Sequence, residues 1–182
     1  MKKRIYLILL ITAIFFLLIQ SATSIKLRHV WNQTTDNQTN TGFYASTIDS
    51  KDNNIHAGDI DNDYGVLAKY YPNGSLHWNL TGISDYFRDI EVDSKDNIYV
   101  AGTSNTSDPS LSKYSSAGNL LWNVSFINGS SGLWYGITVD SNNDIIVSGY
   151  DTFNAYDYAW LAKYNSSGTL LWNLTFPNTK EA

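Results

Sequence analysis

Three aspartates at alternate positions have the spacing of a metal-binding loop. Asp59, Asp61 and Asp63 place a carboxylate at every second residue, an arrangement with which calcium-binding loops wrap a hard cation in oxygen ligands. Tyr64 stands where an EF-hand loop needs glycine, and Tyr70 stands where it needs glutamate. The pattern therefore indicates either a calcium site or an acidic loop in solvent.

A second candidate site is the segment 150–160, which combines five aromatic residues with two carboxylates. Exposed aromatic rings stack on sugars or anchor a protein partner, and carboxylates accept hydrogen bonds from hydroxyl groups. The segment predicts a site for a glycan or a surface protein, with these ligand-binding candidates: Tyr150, Asp151, Phe153, Tyr156, Asp157, Tyr158 and Trp160. The alternative is that the alternating aromatics extend a strand and pack between sheets.

Several classes of chemistry are disfavoured by composition. The chain has no cysteine, which excludes thiol nucleophiles, disulfides and zinc–cysteine sites. His29, His56 and His77 do not have metal-ligand spacing, and no particular Ser-His-Asp set stands out. The net charge of −5 argues against a nucleic-acid partner. We expect no enzymatic activity, no catalytic residues and no cofactor, with calcium as the one possible ion.

The chain contains three similar units in succession. The units begin at Asp49, Asp93 and Asp140, which are 44 and 47 residues apart. Each unit has a glycine after its second apolar run, then an L-x-K-Y phrase, then a glycine turn followed by a tryptophan. A period of this length, made of short strands, is typical of a β-propeller blade. We expect structural roles for the recurrent residues Trp31, Trp78, Trp122, Trp172, Gly58, Gly102 and Gly149.

The predicted fold is all-β, with three four-stranded antiparallel blades at about 43–81, 86–126 and 133–176. One stray outer strand at 28–34 precedes them. Closed propellers have about 4 to 8 blades, so the sequence predicts an incomplete arc. Such an arc either associates with a second copy or another propeller chain, or is a fragment of a larger propeller, or stands as an open monomer.

The lengths of the connections distinguish the two ends of each blade. Turns between the first and second strands, and between the third and fourth, keep their length, while the other connections vary. Connections that tolerate insertion usually carry binding. The sequence therefore predicts a binding face in the variable connections 59–65, 79–86, 103–109, 126–133 and 150–159.

Two phrases resemble the SBBP-type β-propeller repeats of secreted bacterial and archaeal proteins. They are V-D-S-x-x-N-I-Y-V-x-G at Val92–Gly102 and L-A-K-Y-N-x-x-G-x-L-L-W at Leu161–Trp172. The resemblance covers about residues 26–176 and implies a propeller at or outside the cell surface, with no known catalytic residues. The first unit departs from the pattern because Asn54 and His56 stand at apolar strand positions, which indicates a more exposed or functional face.

The N-terminus has the layout of an export signal. Three basic residues precede a long apolar run and then small polar residues, so we expect residues 1–24 to be a cleaved signal peptide or a retained signal anchor. Residues 25–182 then form the repeat domain, extracellular or on the cell surface, with membrane contact only through an uncleaved anchor. The glycosylation candidates are Asn32, Asn79, Asn123 and Asn173.

Together these patterns predict a non-enzymatic extracytoplasmic module that binds or adheres through its variable face. The alternative is a structural unit that completes a larger propeller with another chain.

Overall fold

The computed structural model describes residues 41–60, 64–126, 131–153 and 156–176. The predicted signal segment, the stray strand 28–34 with Trp31, and Asn32 lie outside these ranges. Within them the chain is all-β and forms three four-stranded antiparallel sheets. This part of the fold prediction is confirmed. None of the described residues forms a helix long and apolar enough to cross a membrane.

The twelve strands run in sequence order within each sheet. Sheet 1 contains β1 (Thr41–Ile48), β2 (Asn54–Ile60), β3 (Tyr64–Tyr70) and β4 (Leu76–Ile83). Sheet 2 contains β5 (Asp85–Val92), β6 (Ile98–Ser104), β7 (Pro109–Tyr114) and β8 (Leu120–Ser125). Sheet 3 contains β9 (Ser131–Val139), β10 (Ile145–Phe153), β11 (Tyr156–Tyr164) and β12 (Leu170–Phe176).

The turn after the first strand of each sheet is built by its aspartate. Asp49 accepts hydrogen bonds at one carboxylate oxygen from the backbone N–H groups of Lys51 and Asn53, both at 2.9 Å. Asp93 and Asp140 accept the equivalent pairs in sheets 2 and 3. Aspartate and asparagine suit such turns because their side chains bond the backbone two residues on. The repeated Asp therefore determines where each first hairpin reverses.

Each second strand carries a glycine at the point where the backbone of the first strand comes very close to it. The pairing register shifts beside Gly58, Gly102 and Gly149 in turn. An added methyl group there would overlap the carbonyl oxygen of Gly42, Tyr86 or Leu133. Only glycine lets the first strand come this close. A side chain at any of the three positions would thus force the paired strands apart.

The core lies between neighbouring sheets. One cluster joins Ile55 and Leu67 of sheet 1 to Phe87, Ile98 and Val100 of sheet 2. The cluster between sheets 2 and 3 includes Tyr99, Leu111, Trp134, Ile145, Val147 and Trp160. We call the side of a sheet that packs against the next sheet in sequence its outgoing face, and the opposite side its incoming face. In sheet 3 the outgoing face is the side equivalent to the outgoing faces of sheets 1 and 2. Since strand residues alternate between faces, each interior sheet needs apolar residues on both.

The incoming face of sheet 1 is more polar than the incoming faces of sheets 2 and 3. Asn54 and His56 occupy the positions that Ile98 and Val100 have in sheet 2, where both side chains are buried. The imidazole of His56 lies 5.2 Å from the Phe43 ring and 5.8 Å from the Tyr70 ring. This face is therefore more polar than its counterparts, in keeping with the departure noted in the sequence.

His56 is expected to make the protein less stable at mildly acidic pH. Burial lowers the pKa of His56, so the folded state favours the neutral imidazole. The unfolded chain takes up its proton below about pH 6.5, and stability therefore falls as pH drops through that value. His56→Val, which copies Val100, should remove this part of the decline. Urea unfolding between neutral pH and about pH 5 checks it, with His77→Leu as the matched change at an exposed histidine. Parallel profiles for the wild type and His56→Val would contradict the expectation.

Candidate binding surfaces

Only one of the three calcium candidates lies in the described residues. Asp59, at the end of β2, is 1% exposed. Its carboxylate accepts a hydrogen bond from the Tyr44 hydroxyl at 2.9 Å and pairs with the Arg88 guanidinium at 3.4 Å. Asp61 and Asp63 lie outside the described residues. Across the described ranges, no three histidine, cysteine, aspartate or glutamate side chains are grouped so that they could hold a metal. Asp59 is thus engaged by a phenol and a guanidinium.

Residues 150–153 and 156–160 of the aromatic segment belong to the paired strands β10 and β11, which corrects their assignment to a connecting loop. Tyr150 pairs with Ala159 and Asp151 pairs with Tyr158 in a continuous β10–β11 ladder. Strand alternation then separates the candidates: Tyr150 and Asp157 belong to the outgoing face of sheet 3. Asp151, Tyr158 and Trp160 belong to the incoming face. The seven candidate residues therefore do not form one site.

The exposed fractions of these candidate residues also differ widely. Trp160 is 3% exposed and stacks on Trp134 with ring centroids 5.5 Å apart and an interplanar angle of 10°. Asp151 is 9% exposed, whereas Tyr156 is 62% exposed. The side chain of Phe153 is outside the described set. Trp160 is a core residue that a surface ligand does not reach, and packing between sheets explains it.

A lysine and a tryptophan join each sheet to the next one. Lys69 and Trp78 are directly opposite each other on β3 and β4. The Lys69 ammonium and the Trp78 indole N–H both donate to the backbone carbonyl of Ser116 in sheet 2, at 3.2 and 3.3 Å. Lys113 and Trp122 donate in the same way to the carbonyl of Ser166 in sheet 3, at 3.0 and 3.3 Å. We call this arrangement the Lys–Trp clamp.

The clamp also requires a glycine in the next sheet. Gly118 and Gly168 have φ of 86° and 84°, which favours glycine. A Cβ at Gly118 would lie 3.3 Å from the Trp78 ring, and one at Gly168 would lie 3.2 Å from the Trp122 ring. Each indole therefore rests on the bare glycine turn of the following sheet. The two junctions between the three described sheets are two copies of one interface.

In sheet 3 the same pair forms an open clamp: the Lys163 ammonium pairs within its own sheet, with Asp140 at 2.8 Å and Asp144 at 3.1 Å. Lys163 and Trp172 are directly opposite each other on β11 and β12, but no fourth sheet follows within the described residues. Every residue of β12 is exposed. Trp172, Leu174 and Phe176 alternate along one face of β12 and are 40%, 51% and 54% exposed. The structure thus departs from the common structural role predicted for Trp78, Trp122 and Trp172, because Trp172 has no following sheet to pack against among the described residues.

Sequence reasoning missed a cleft at the opposite end from the variable connections. It opens between sheets 1 and 2, where the constant turns meet, and has a volume of about 580 Å³. Tyr71 and His77 line it, and the corresponding residues beside sheet 3 are Ser115 and Leu121. Comparing the three repeats position by position would have revealed this difference.

Three of the predicted glycosylation sites are accessible. Asn79, Asn123 and Asn173 are exposed on β4, β8 and β12, the fourth strands of their sheets. These sequons meet the requirement of surface position.

Comparisons with known proteins bear on the fold. No protein-family model matches the chain. No curated protein matches it. Among solved structures it is similar to one titled "Crystal structure of the eukaryotic initiation factor", with a TM-score of 0.55 and 10% identity, covering 80% of this chain and 35% of that one. The chain thus spans about a third of that protein's length. It is also similar to a protein of unknown function from Bacteroides caccae, with a TM-score of 0.47 and 15% identity, covering 80% and 70% of the two chains.

Proposed function

We propose that the protein is a non-enzymatic, extracytoplasmic β-propeller repeat module, of the SBBP type, that works by docking to another polypeptide chain with the same repeats. A second copy and a different propeller chain both belong to this class of partner. The observation that carries the proposal is the open Lys–Trp clamp of sheet 3, with Trp172, Leu174 and Phe176 exposed beside it.

The two closed clamps specify what such a partner must present. Its incoming face needs apolar residues on the first two strands, as in Phe87 and Val100 of sheet 2. It also needs a glycine turn with positive φ and an accessible backbone carbonyl two residues before the glycine, as in Ser116 and Gly118. A further repeat with an incoming face like that of sheet 2 satisfies both requirements, and its docking would remove the exposed apolar row from water. The incoming face of sheet 1 carries Asn54 and His56 in place of Ile98 and Val100, so a different propeller chain meets the first requirement better than a second copy does.

The propeller interpretation rests on the way the sheets pack. β5 of sheet 2 contacts β1, β2 and β3, and β9 of sheet 3 contacts β5, β6 and β7. Successive sheets are therefore stacked through their first strands, as blades are. Propellers typically have 4 to 8 blades, so three such sheets leave a place for more. The likeness to the initiation-factor structure supports this fold alone.

The clamp predicts different outcomes for two equivalent tryptophans. Trp122→Ala should lower the free energy of unfolding by about 2 kcal/mol, because it removes partly buried ring surface and a hydrogen bond to Ser166. Trp172→Ala should change it by less than about 0.5 kcal/mol, because Trp172 is 40% exposed and no following sheet packs on its ring among the described residues. Urea unfolding at low protein concentration measures both. Equal losses at the two positions would show that the Trp172 ring is already covered.

Light scattering on the full chain tests self-docking. If a second copy is the partner, the wild type should show the mass of an assembly and Trp172→Ala should show that of one chain. A mass of one chain for both at all concentrations overturns docking to a second copy.

Photo-crosslinking in the producing cell tests the wider class of partner. Leu174→p-benzoylphenylalanine places a photoreactive group in the open row, while the same change at Leu80 places it where sheet 2 already packs. We expect position 174 to form an adduct with the apolar incoming face of another repeat chain, and position 80 to react only within its own chain. No adduct at position 174, or one with a protein lacking these repeats, overturns the proposed docking function.

A second candidate function is binding of a glycan or a surface protein at the variable end. Tyr64 and Tyr156, at the ends of β3 and β11 that face the variable connections, are 52% and 62% exposed. Binding on a glycan array that is lost in Tyr156→Ala would support it, and binding unchanged in that variant would contradict it.

A further inference from the structure

The cleft between sheets 1 and 2 has a preorganised polar floor. The Lys69 ammonium and the Asp49 carboxylate, both buried, lie 2.7 Å apart. Burial by itself raises the pKa of Asp49, but hydrogen bonds from Lys69 and Asn53 outweigh it and hold that pKa well below its usual range. The same lysine and Trp78 are held by the carbonyl of Ser116. Since these groups hold one another in place, the floor does not have to reorganise around a ligand.

One wall of the cleft is aromatic. The rings of Tyr71 and His77 are 4.4 Å apart with an interplanar angle of 34°, and both side chains are exposed. They present apolar ring surface together with a phenol hydroxyl and an imidazole. Ligand sites combine such surface with a few polar groups that set orientation, and volumes of roughly 300–1,000 Å³ are usual for them. The cleft, at about 580 Å³, fits this description.

The charges around the cleft are balanced. Asp49 and Asp96 contribute two carboxylates, and Lys51 and Lys69 contribute two ammonium groups. The lining therefore favours neither an anion nor a cation. It offers hydrogen-bond donors and acceptors side by side, which suits hydroxyl groups because each can both donate and accept.

The aromatic wall is an addition to the shared scaffold. The junction between sheets 2 and 3 has the same clamp and the same turns, yet carries Ser115 and Leu121 in place of Tyr71 and His77. Packing of the junction therefore does not require the aromatic pair. A pair that the scaffold does not need, placed over a balanced polar floor, points to a ligand.

We propose that this cleft is a carbohydrate site that takes a neutral pyranose ring, with one sugar face on Tyr71 and His77 and the hydroxyl groups on Asp96 and Lys51. The site lies at the end of the sheets opposite to the variable connections. It is independent of the docking face of sheet 3, so failure of either proposal leaves the other standing.

The test is binding of simple sugars to the full chain. Methyl glycosides of glucose, galactose, mannose and N-acetylglucosamine are titrated at millimolar concentration, with saturation-transfer NMR and tryptophan fluorescence as readouts, since Trp78 lines the cleft. We expect at least one neutral glycoside to bind, and the double variant Tyr71→Ser/His77→Leu to weaken that binding at least about tenfold. This variant copies the residues of the second junction, so its melting temperature should stay that of the wild type.

Two further arms make the test decisive. Tyr135→Ala, at a residue that is 58% exposed on β9 and lies outside the cleft, should leave the affinity unchanged, and methyl glucuronoside should bind no better than methyl glucoside. Absence of binding by all four neutral sugars overturns the proposal. So does a loss of binding in Tyr135→Ala but not in the double variant, or a preference of about tenfold for the charged sugar.

Discussion

Replacing Trp134 by alanine should lower the free energy of unfolding by about 4 kcal/mol. Trp134, on β9, is fully buried. Its ring stacks on Trp160 and lies 5.8 Å from the ring of Tyr164. Alanine would leave a large void at the junction of sheets 2 and 3, and the surrounding strands cannot close it without breaking their ladders. Urea unfolding monitored by circular dichroism measures the change.

Two further variants test the physical cause. The indole N–H of Trp134 has no hydrogen-bond acceptor among the described residues, so Trp134→Phe keeps most of the packing and removes an unsatisfied donor. It should lose clearly less than Trp134→Ala. Tyr135→Ala, at a neighbouring residue that is 58% exposed, should change stability by less than about 0.5 kcal/mol. A loss of under about 1 kcal/mol for Trp134→Ala would refute the core assignment.

Gly102→Ala should cost about 3 kcal/mol, at the upper end of the usual effect of overpacking. The added methyl group would overlap the carbonyl oxygen of Tyr86 on the paired strand. Both atoms belong to or are attached to backbone, so no side-chain rotation relieves the overlap. The strand pair must separate locally, and hydrogen bonds of the β5–β6 ladder are lost. The measurement is the same urea unfolding.

Gly82→Ala is the matched control for this glycine. Gly82 has φ of 74°, and a Cβ there would meet nothing within 4 Å. Its substitution should cost only about 1 kcal/mol, from the unfavourable left-handed backbone conformation. If Gly102→Ala cost no more than Gly82→Ala, the steric explanation for the three repeated glycines would be wrong.

The sequence predicted the strands and their turns because the signals for both are local. Asp93 organises its turn through bonds to residues two and four positions on. Gly118 supplies the positive φ that its hairpin needs. Such contacts recur wherever the same few residues recur, so three repeats were enough to predict three four-stranded sheets.

The candidate site was harder to predict, because a strand sends neighbouring residues to opposite faces. The aromatic segment looks like one surface in sequence, but Tyr156 ends in solvent while Trp160 ends in the core. The cleft beside Tyr71 needs two sheets to form, and no single repeat contains it.

The repeat, the all-β class and the residues that shape each turn can be predicted from the sequence. The environment of identical residues depends on how the sheets pack. Trp122 and Trp172 stand in the same phrase, yet Trp122 rests on Gly168 of the next sheet and Trp172 is 40% exposed. The physical reason is that burial depends on what packs against a face, and the last sheet of the described chain has no successor there to cover it.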